Sequence, residues 1–496
     1  MEQEIGDKGS SAVENSQCLR GPGLETNSNN FAMEHDSLQH PQSHNDKAVE
    51  DGSLQHPREK FFDDWRTLGT AVSVLYIWSL PRLASLGFAH QCADYPRCDM
   101  FGTSVSNFIA NAHSTGLMAG VFYHPCLQSW LDAMHMQRKS CVFPSLAIFQ
   151  LCFGWCLTSP VTEVPELHSL CVVLFCMAGV VHYGMMLKHC AEHRMWYCMA
   201  LLRVGITTFG IHMALCILGN HNHEILPKNC PQLYWFCESL GLSIMAMFPW
   251  LWQWESLRKQ DRGTGGQDSL LEQEDDAPTS MEYGIDLHPR RGTFCLRAVG
   301  VALPLLYVWC LPKLASVHFA HKCVWIYPWC HPVGRNVSDF IANTRSTGAM
   351  AVVFFFLCLN MWLNASYVRN KSWVYPTLIA FQFGFGGFLA SPLPEVPAVH
   401  TVFVALFCVA GQMHFGVMLK HCAEDCVWCC TALLYIGWVC LFFVMSLNIY
   451  ATIDSDLLPN HYPWLDWFFE SMGITSMGLF SLFWYRKDSS CARSFE

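Results

Sequence analysis

The chain has 496 residues, 52% of them hydrophobic and 14% charged, with a formal net charge of -10. Soluble globular chains carry about 25% charged residues, and the apolar residues here fall in long runs such as Val301–Leu311, Ala349–Leu363, Val399–Leu419 and Cys426–Leu447. A soluble fold is excluded and a multi-pass integral membrane protein is expected; the acid lies largely in the N-terminal tail and around Glu272–Asp276, and no basic face is left for nucleic acid.

Residues 1–60 are polar and rich in Ser, Asn, Gln and His, without the apolar core of a secretory signal. They read as a disordered cytosolic tail, so the first transmembrane helix must do the targeting. After it the chain says nearly the same thing twice, with an offset of 232 residues over most of the length. Ser159-Pro160 with Glu163, Val164, Pro165 and His168 returns as Ser391-Pro392 with Glu395, Val396, Pro397 and His400. Leu187–Glu192 returns as Leu419–Glu424, and Phe236, Glu238, Ser239 and Gly241 as Phe468, Glu470, Ser471 and Gly473. An offset that holds through loops and helices marks a tandem duplication.

Copy one covers 61–258 and copy two 292–487, joined by a cytosolic linker, 259–291, and followed by a cytosolic tail, 488–496. In copy one the apolar runs predict spans near 67–89, 115–136, 141–158, 167–188, 196–218 and 231–254. In copy two they predict spans near 298–319, 347–367, 373–390, 399–420, 426–448 and 461–485. The expected fold is an all-α membrane protein of twelve transmembrane helices, arranged as two parallel six-helix repeats because each unit has an even number of spans.

Arg138-Lys139, Lys188, Arg194, Arg258-Lys259 and their counterparts Arg369, Lys371, Lys420 and Arg486-Lys487 follow the even-numbered spans. Positive charge stays inside, so both termini are expected in the cytosol and the odd-numbered loops in a lumen or outside. Loop one of each copy then lies in an oxidising space, where Cys92 with Cys98, and Cys323 with Cys330, are expected to pair as disulfides. Asn336-Val337-Ser338 is the glycosylation acceptor on that side.

Polar groups inside spans are costly, and those that recur need a reason. Asn111 in loop one, Glu163 and His168 before helix four, and Glu238 in helix six converge on the lumenal side of copy one; Asn343, Glu395, His400 and Glu470 match them in copy two. These eight residues either line one lumen-facing pocket per copy or lock helices four and six together, and Glu163 has the further option of being solvated. His182 and His189 recur as His414 and His421. A metal site is not expected: His168 and His189 lie ~31 Å apart along one helix at 1.5 Å per residue, and the C-x2-C of Cys426 and Cys429 has no second pair. No cofactor is expected either. With no G-x-S-x-G, H-E-x-x-H or P-loop in the chain, no catalytic residue is assigned and the reading leans away from an enzyme.

Six helices, a long first lumenal loop, the S-x3-E-x4-H element and the early Glu of helix six together resemble the Frag1/DRAM/Sfk1 superfamily, over both copies. The best-matching stretch is Gln382–Leu406 with Gly386, Ser391, Glu395 and His400, followed by Glu470–Thr475. The resemblance implies a membrane-lipid partner, and a role in lipid or glycosylphosphatidylinositol-anchor handling within Golgi, ER or lysosomal membranes or at the plasma membrane. Glycosylphosphatidylinositol-anchored proteins would then be partners, beside a cytosolic partner for the acidic linker. The alternatives are a twelve-helix solute transporter that binds its solute between the copies, and a non-catalytic scaffold or autophagy modulator.

Overall fold

A computed structural model of the chain describes residues 57–89, 104–135, 141–221, 231–264, 291–320, 336–368, 373–422, 424–453 and 464–485. The N-terminal tail up to Gln55, most of the acidic linker, and Cys92, Cys98, Cys323 and Cys330 lie outside them. The described residues are helical, without strands, and belong to one unit, His56–Glu496.

Copy one contributes α1 (Pro57–Ser85), α2 (Val105–Phe108), α3 (Ala112–His135), α4 (Val142–Thr158), α5 (Pro165–Glu192), α6 (Trp196–His221) and α7 (Pro231–Thr264). Copy two contributes α8 (Arg291–Ser316), α9 (Val337–Phe340), α10 (Thr344–Tyr367), α11 (Val374–Ala390), α12 (Pro397–Leu419), α13 (Glu424–Ile453) and α14 (Leu465–Tyr485). Among the described residues six helices are long and apolar enough to cross a membrane: α5, α6, α8, α10, α12 and α13, while α4 and α11 are apolar but shorter. Their outward faces carry large apolar side chains, as membrane-facing helices do. Trp196 and Trp428, at corresponding helix starts, are 69% and 78% exposed, the placement of an interfacial aromatic belt.

Several elements depart from the sequence expectation, α1 beginning at Pro57 instead of near 67. The recurring loop-one motifs form the short helices α2 and α9, because Ser104 and Asn336 cap them by accepting hydrogen bonds from Asn107 N and Asp339 N. The last helix of copy one runs on to Thr264 instead of ending near 254. Polar anchors explain the extension: Glu255 accepts from Cys198 N at 3.0 Å, and Lys259 Nζ donates to His193 O.

Corresponding contacts hold each copy together. Tyr76 and Tyr307 each donate at 2.8 Å, to Ser114 O and Ser346 O. Trp78 packs edge-on against Trp235, and Trp309 against Trp467; their indole N–H groups donate to Ser243 Oγ and Thr475 Oγ1. His182 and His414 bond a neighbouring helix through Ser145 and Thr377, as a buried polar group in a span must. His189 stacks on Trp252.

The two copies meet through α3 and α4 of one and α10 and α11 of the other. A side chain at Gly116 would run into Leu389 O, and one at Gly348 into Leu157 O. These are reciprocal contacts, since 116 corresponds to 348 and 157 to 389. Backbones approach this closely only where glycine leaves room.

Candidate functional site

Each copy has an apolar cavity next to its recurring glutamate. In copy one it is lined by Ser106, Met118, Phe153, Phe175, Phe209 and Glu238 among others. In copy two the corresponding lining residues are Ser338, Met350, Phe385, Phe407, Leu441 and Glu470. Helices α3–α7 of copy one and α10–α14 of copy two, together with the short α2 and α9, form the walls.

The carboxylates are placed by loop one. Glu238 accepts from Ser106 N at 3.2 Å and from Ser106 Oγ at 3.1 Å; Glu470 accepts from Val337 N at 2.6 Å. The first turn of a helix leaves backbone donors unsatisfied, and here the glutamates of α7 and α14 answer them. Loop one is folded in turn by Asn111 and Asn343. Their Oδ1 atoms accept from Ser114 N and Ser346 N at 2.8 Å, and their Nδ2 atoms donate to Phe88 O and Phe319 O. Both asparagines therefore support the pocket from behind and do not line it.

His168 and His400 are 5% and 3% exposed. Their Nδ1 atoms donate to Ser159 O and Ser391 O, which leaves the lone pair on Nε2. Neither Nε2 has a hydrogen-bond partner among the described residues, and His168 lines the cavity of copy one. His212 carries no signal in the sequence patterns above. Its Nε2 sits 3.2 Å from Glu238 Oε1, but copy two has Val444 at that place, so recurrence could not reveal it. A lone histidine in the apolar run of α6 was the only clue.

Glu163 and Glu395 stand elsewhere. Glu395 Oε2 pairs with His113 Nε2 at 2.5 Å, and Glu163 Oε2 with Arg345 Nε at 2.7 Å. Positions 113 and 345 correspond, as do 163 and 395, so each glutamate clasps the opposite copy. His113 Nδ1 also bonds Ala390 O at 2.8 Å, one residue before the carbonyl that orients His400. His113 of copy one thus grips the turn that orients His400. Asn336, the sequon residue, is 4% exposed and occupied as the cap of α9.

Set against protein-family models, curated proteins and solved structures, the chain matches none.

Function must then be argued from the cavities. Among the described residues no three His, Cys, Asp or Glu side chains gather where one ion would touch them. What the cavities offer is an apolar interior with a carboxylate beside loop one, joined in copy one by an imidazole lone pair. That is the layout of a site for an amphiphile, with tail in the apolar part and hydrogen-bonding head at the glutamate.

Proposed function

We propose that the chain crosses the membrane twelve times, as two parallel six-helix units with both termini in the cytosol, and that it handles membrane lipid in the manner implied by its resemblance to the Frag1/DRAM/Sfk1 superfamily. One observation carries this reading: an acid-headed apolar cavity recurs at corresponding positions of both copies. On this topology each carboxylate faces the lumenal side, where a lipid head would enter. The compartment is an endomembrane or the plasma membrane, and glycosylphosphatidylinositol-anchored proteins are candidate sources of the lipid.

A transporter would bind solute between the copies. The cavity there is apolar, and its polar groups are committed. Tyr123 donates to Ala351 O, while Gln150 donates to Cys126 O and accepts from Trp130. A polar solute would find little to bind, which favours the lipid reading.

Purified protein in nanodiscs, labelled with a photoreactive phospholipid, tests the proposal. Label is expected on the pocket-lining residues of α5–α7 and α12–α14. In the Glu238→Gln, Glu470→Gln double variant, loss of charge-assisted contacts to the head should reduce labelling about fivefold, with helical content retained and a lower melting temperature reporting the weakened bonds to loop one and His212. Labelling confined to the outer helix faces, or unchanged in that variant, would remove the pockets from the function.

A further inference from the structure

We infer that Cys422 and Cys430 form a reversible disulfide, a redox modification site between α12 and α13 on the side of the chain that carries the positive loops. The inference goes beyond lipid handling and uses only the sidedness of the topology proposed above.

Sulfur meets sulfur at the same place in both copies. Cys422 Sγ lies 3.6 Å from Cys430 Sγ, eight residues apart in the chain. Cys190 and Cys198, at the corresponding positions, also pair thiol to thiol. Each pair joins the end of one long helix to the first turns of the next, at the end opposite loop one. Thiols already in contact need little more than side-chain rotation to close to the ~2.0 Å of a disulfide.

The two pairs differ in access. In copy one both cysteines are 0% exposed. The long α7 closes over them: Glu255 accepts from Cys198 N at 3.0 Å, and Trp252 stacks on His189. In copy two the residue at the place of Glu255 is Lys487, which brings no carboxylate. Cys430 is buried, but Cys422 is only half-buried. Cys422 is therefore the sulfur that a dissolved oxidant meets, and Cys430 the one that completes the bond.

The cytosol keeps thiols reduced, and the disulfides that form there are transient and redox-sensing. The oxidant required is a hydroperoxide, in the simplest case hydrogen peroxide. The Cys422 thiolate attacks one peroxide oxygen, the O–O bond breaks, and hydroxide leaves to become water with the proton the thiol gave up. The sulfur of Cys430 then attacks the Cys422 sulfenic acid. The S–S bond forms, the S–O bond breaks, and hydroxide leaves with the Cys430 proton as a second water. Two electrons pass from the thiols to the peroxide, and a dithiol reductant returns them.

The bond would tie together two helices that wall the copy-two cavity, α12 through Phe407 and α13 through Leu441. These helices share less contact than α5 and α6 do. A covalent tie thus restrains in copy two what packing already restrains in copy one.

Full-length protein in phosphatidylcholine nanodiscs, treated with hydrogen peroxide, alkylated and mapped by mass spectrometry, tests the inference. A Cys422–Cys430 linked peptide is expected, with loss of both alkylatable thiols and their return in dithiothreitol. Cys190 and Cys198 should oxidise about tenfold more slowly, as buried structural cysteines do. In Cys430→Ser the reaction should stop at the Cys422 sulfenic acid, which dimedone traps; Cys430→Ala repeats the test should serine disturb packing. Cys429→Ser should leave the linked peptide unchanged. Wild type that yields no linked peptide, or one that joins Cys422 to Cys426 or Cys429, overturns the inference. So does a linked peptide already complete in cells lysed in acid without peroxide, a result that would also invert the topology. Lipid labelling is read separately, so the lipid-handling proposal and this one fail independently.

Discussion

Asn111 and Asn343 each do the work of several residues. One side chain stops the chain before a long helix, receives the hydroxyl of Ser114 or Ser346 at 2.6 Å, and ties loop one back to Phe88 or Phe319. Losing an N-cap costs about 1 kcal/mol, and the extra bonds bring Asn343→Ala to about 2 kcal/mol. A lowered melting temperature of the purified protein is the check, with Asn111→Ala expected to behave alike. Asn336 sets a second test. Its side chain is buried as a cap, so Asn336→Gln is expected to lower the melting temperature and leave gel mobility unchanged; a mobility shift would show that a glycan displaces the cap. At this scale the sequence was legible where both copies agreed, as at Glu238 and Glu470. It was silent at His212, which has no counterpart, and it named Glu163 and Glu395 without showing what they touch. Their partners Arg345 and His113 lie in the other copy, and an internal alignment cannot say which copy a residue touches.

Among the elements, the apolar runs located the long helices because twenty or so apolar residues leave the backbone no other way to satisfy itself in lipid. The short α2 and α9 were hidden, since a single capped turn has no periodicity to read. The helices that join the copies depend on glycine. Gly116→Ala and Gly348→Ala would place a methyl group against an immovable carbonyl and should each destabilise the protein by roughly 1–3 kcal/mol. At Gly184 and Gly416 an added methyl group would meet nothing within 4 Å. Alanine there should be neutral or stabilising by about 0.5–1 kcal/mol. Thermal unfolding of the four variants side by side separates close approach from simple helix propensity.

Across the whole molecule, the paired clasps differ in one respect. His113–Glu395 joins an imidazole to a carboxylate, whereas Arg345–Glu163 joins a guanidinium to one. Cross-linking between cysteines placed on α3 and α11 is expected to fall in His113→Ala. Co-expressed fragments 1–270 and 285–496 should assemble through the same faces, and Gly116→Leu should abolish their co-purification.

The reciprocity of Gly116 with Leu389 and Gly348 with Leu157 reaches beyond stability. A surface that reads the same from either side is what two identical protomers present to one another. Once such protomers share a chain, their meeting no longer depends on concentration. Redundancy then becomes freedom: one half can keep the inherited task while the other drifts towards a new one. The exchange of His212 for Val444, and of Val180 for Gln412, is the kind of record that a division of labour leaves inside a single gene product.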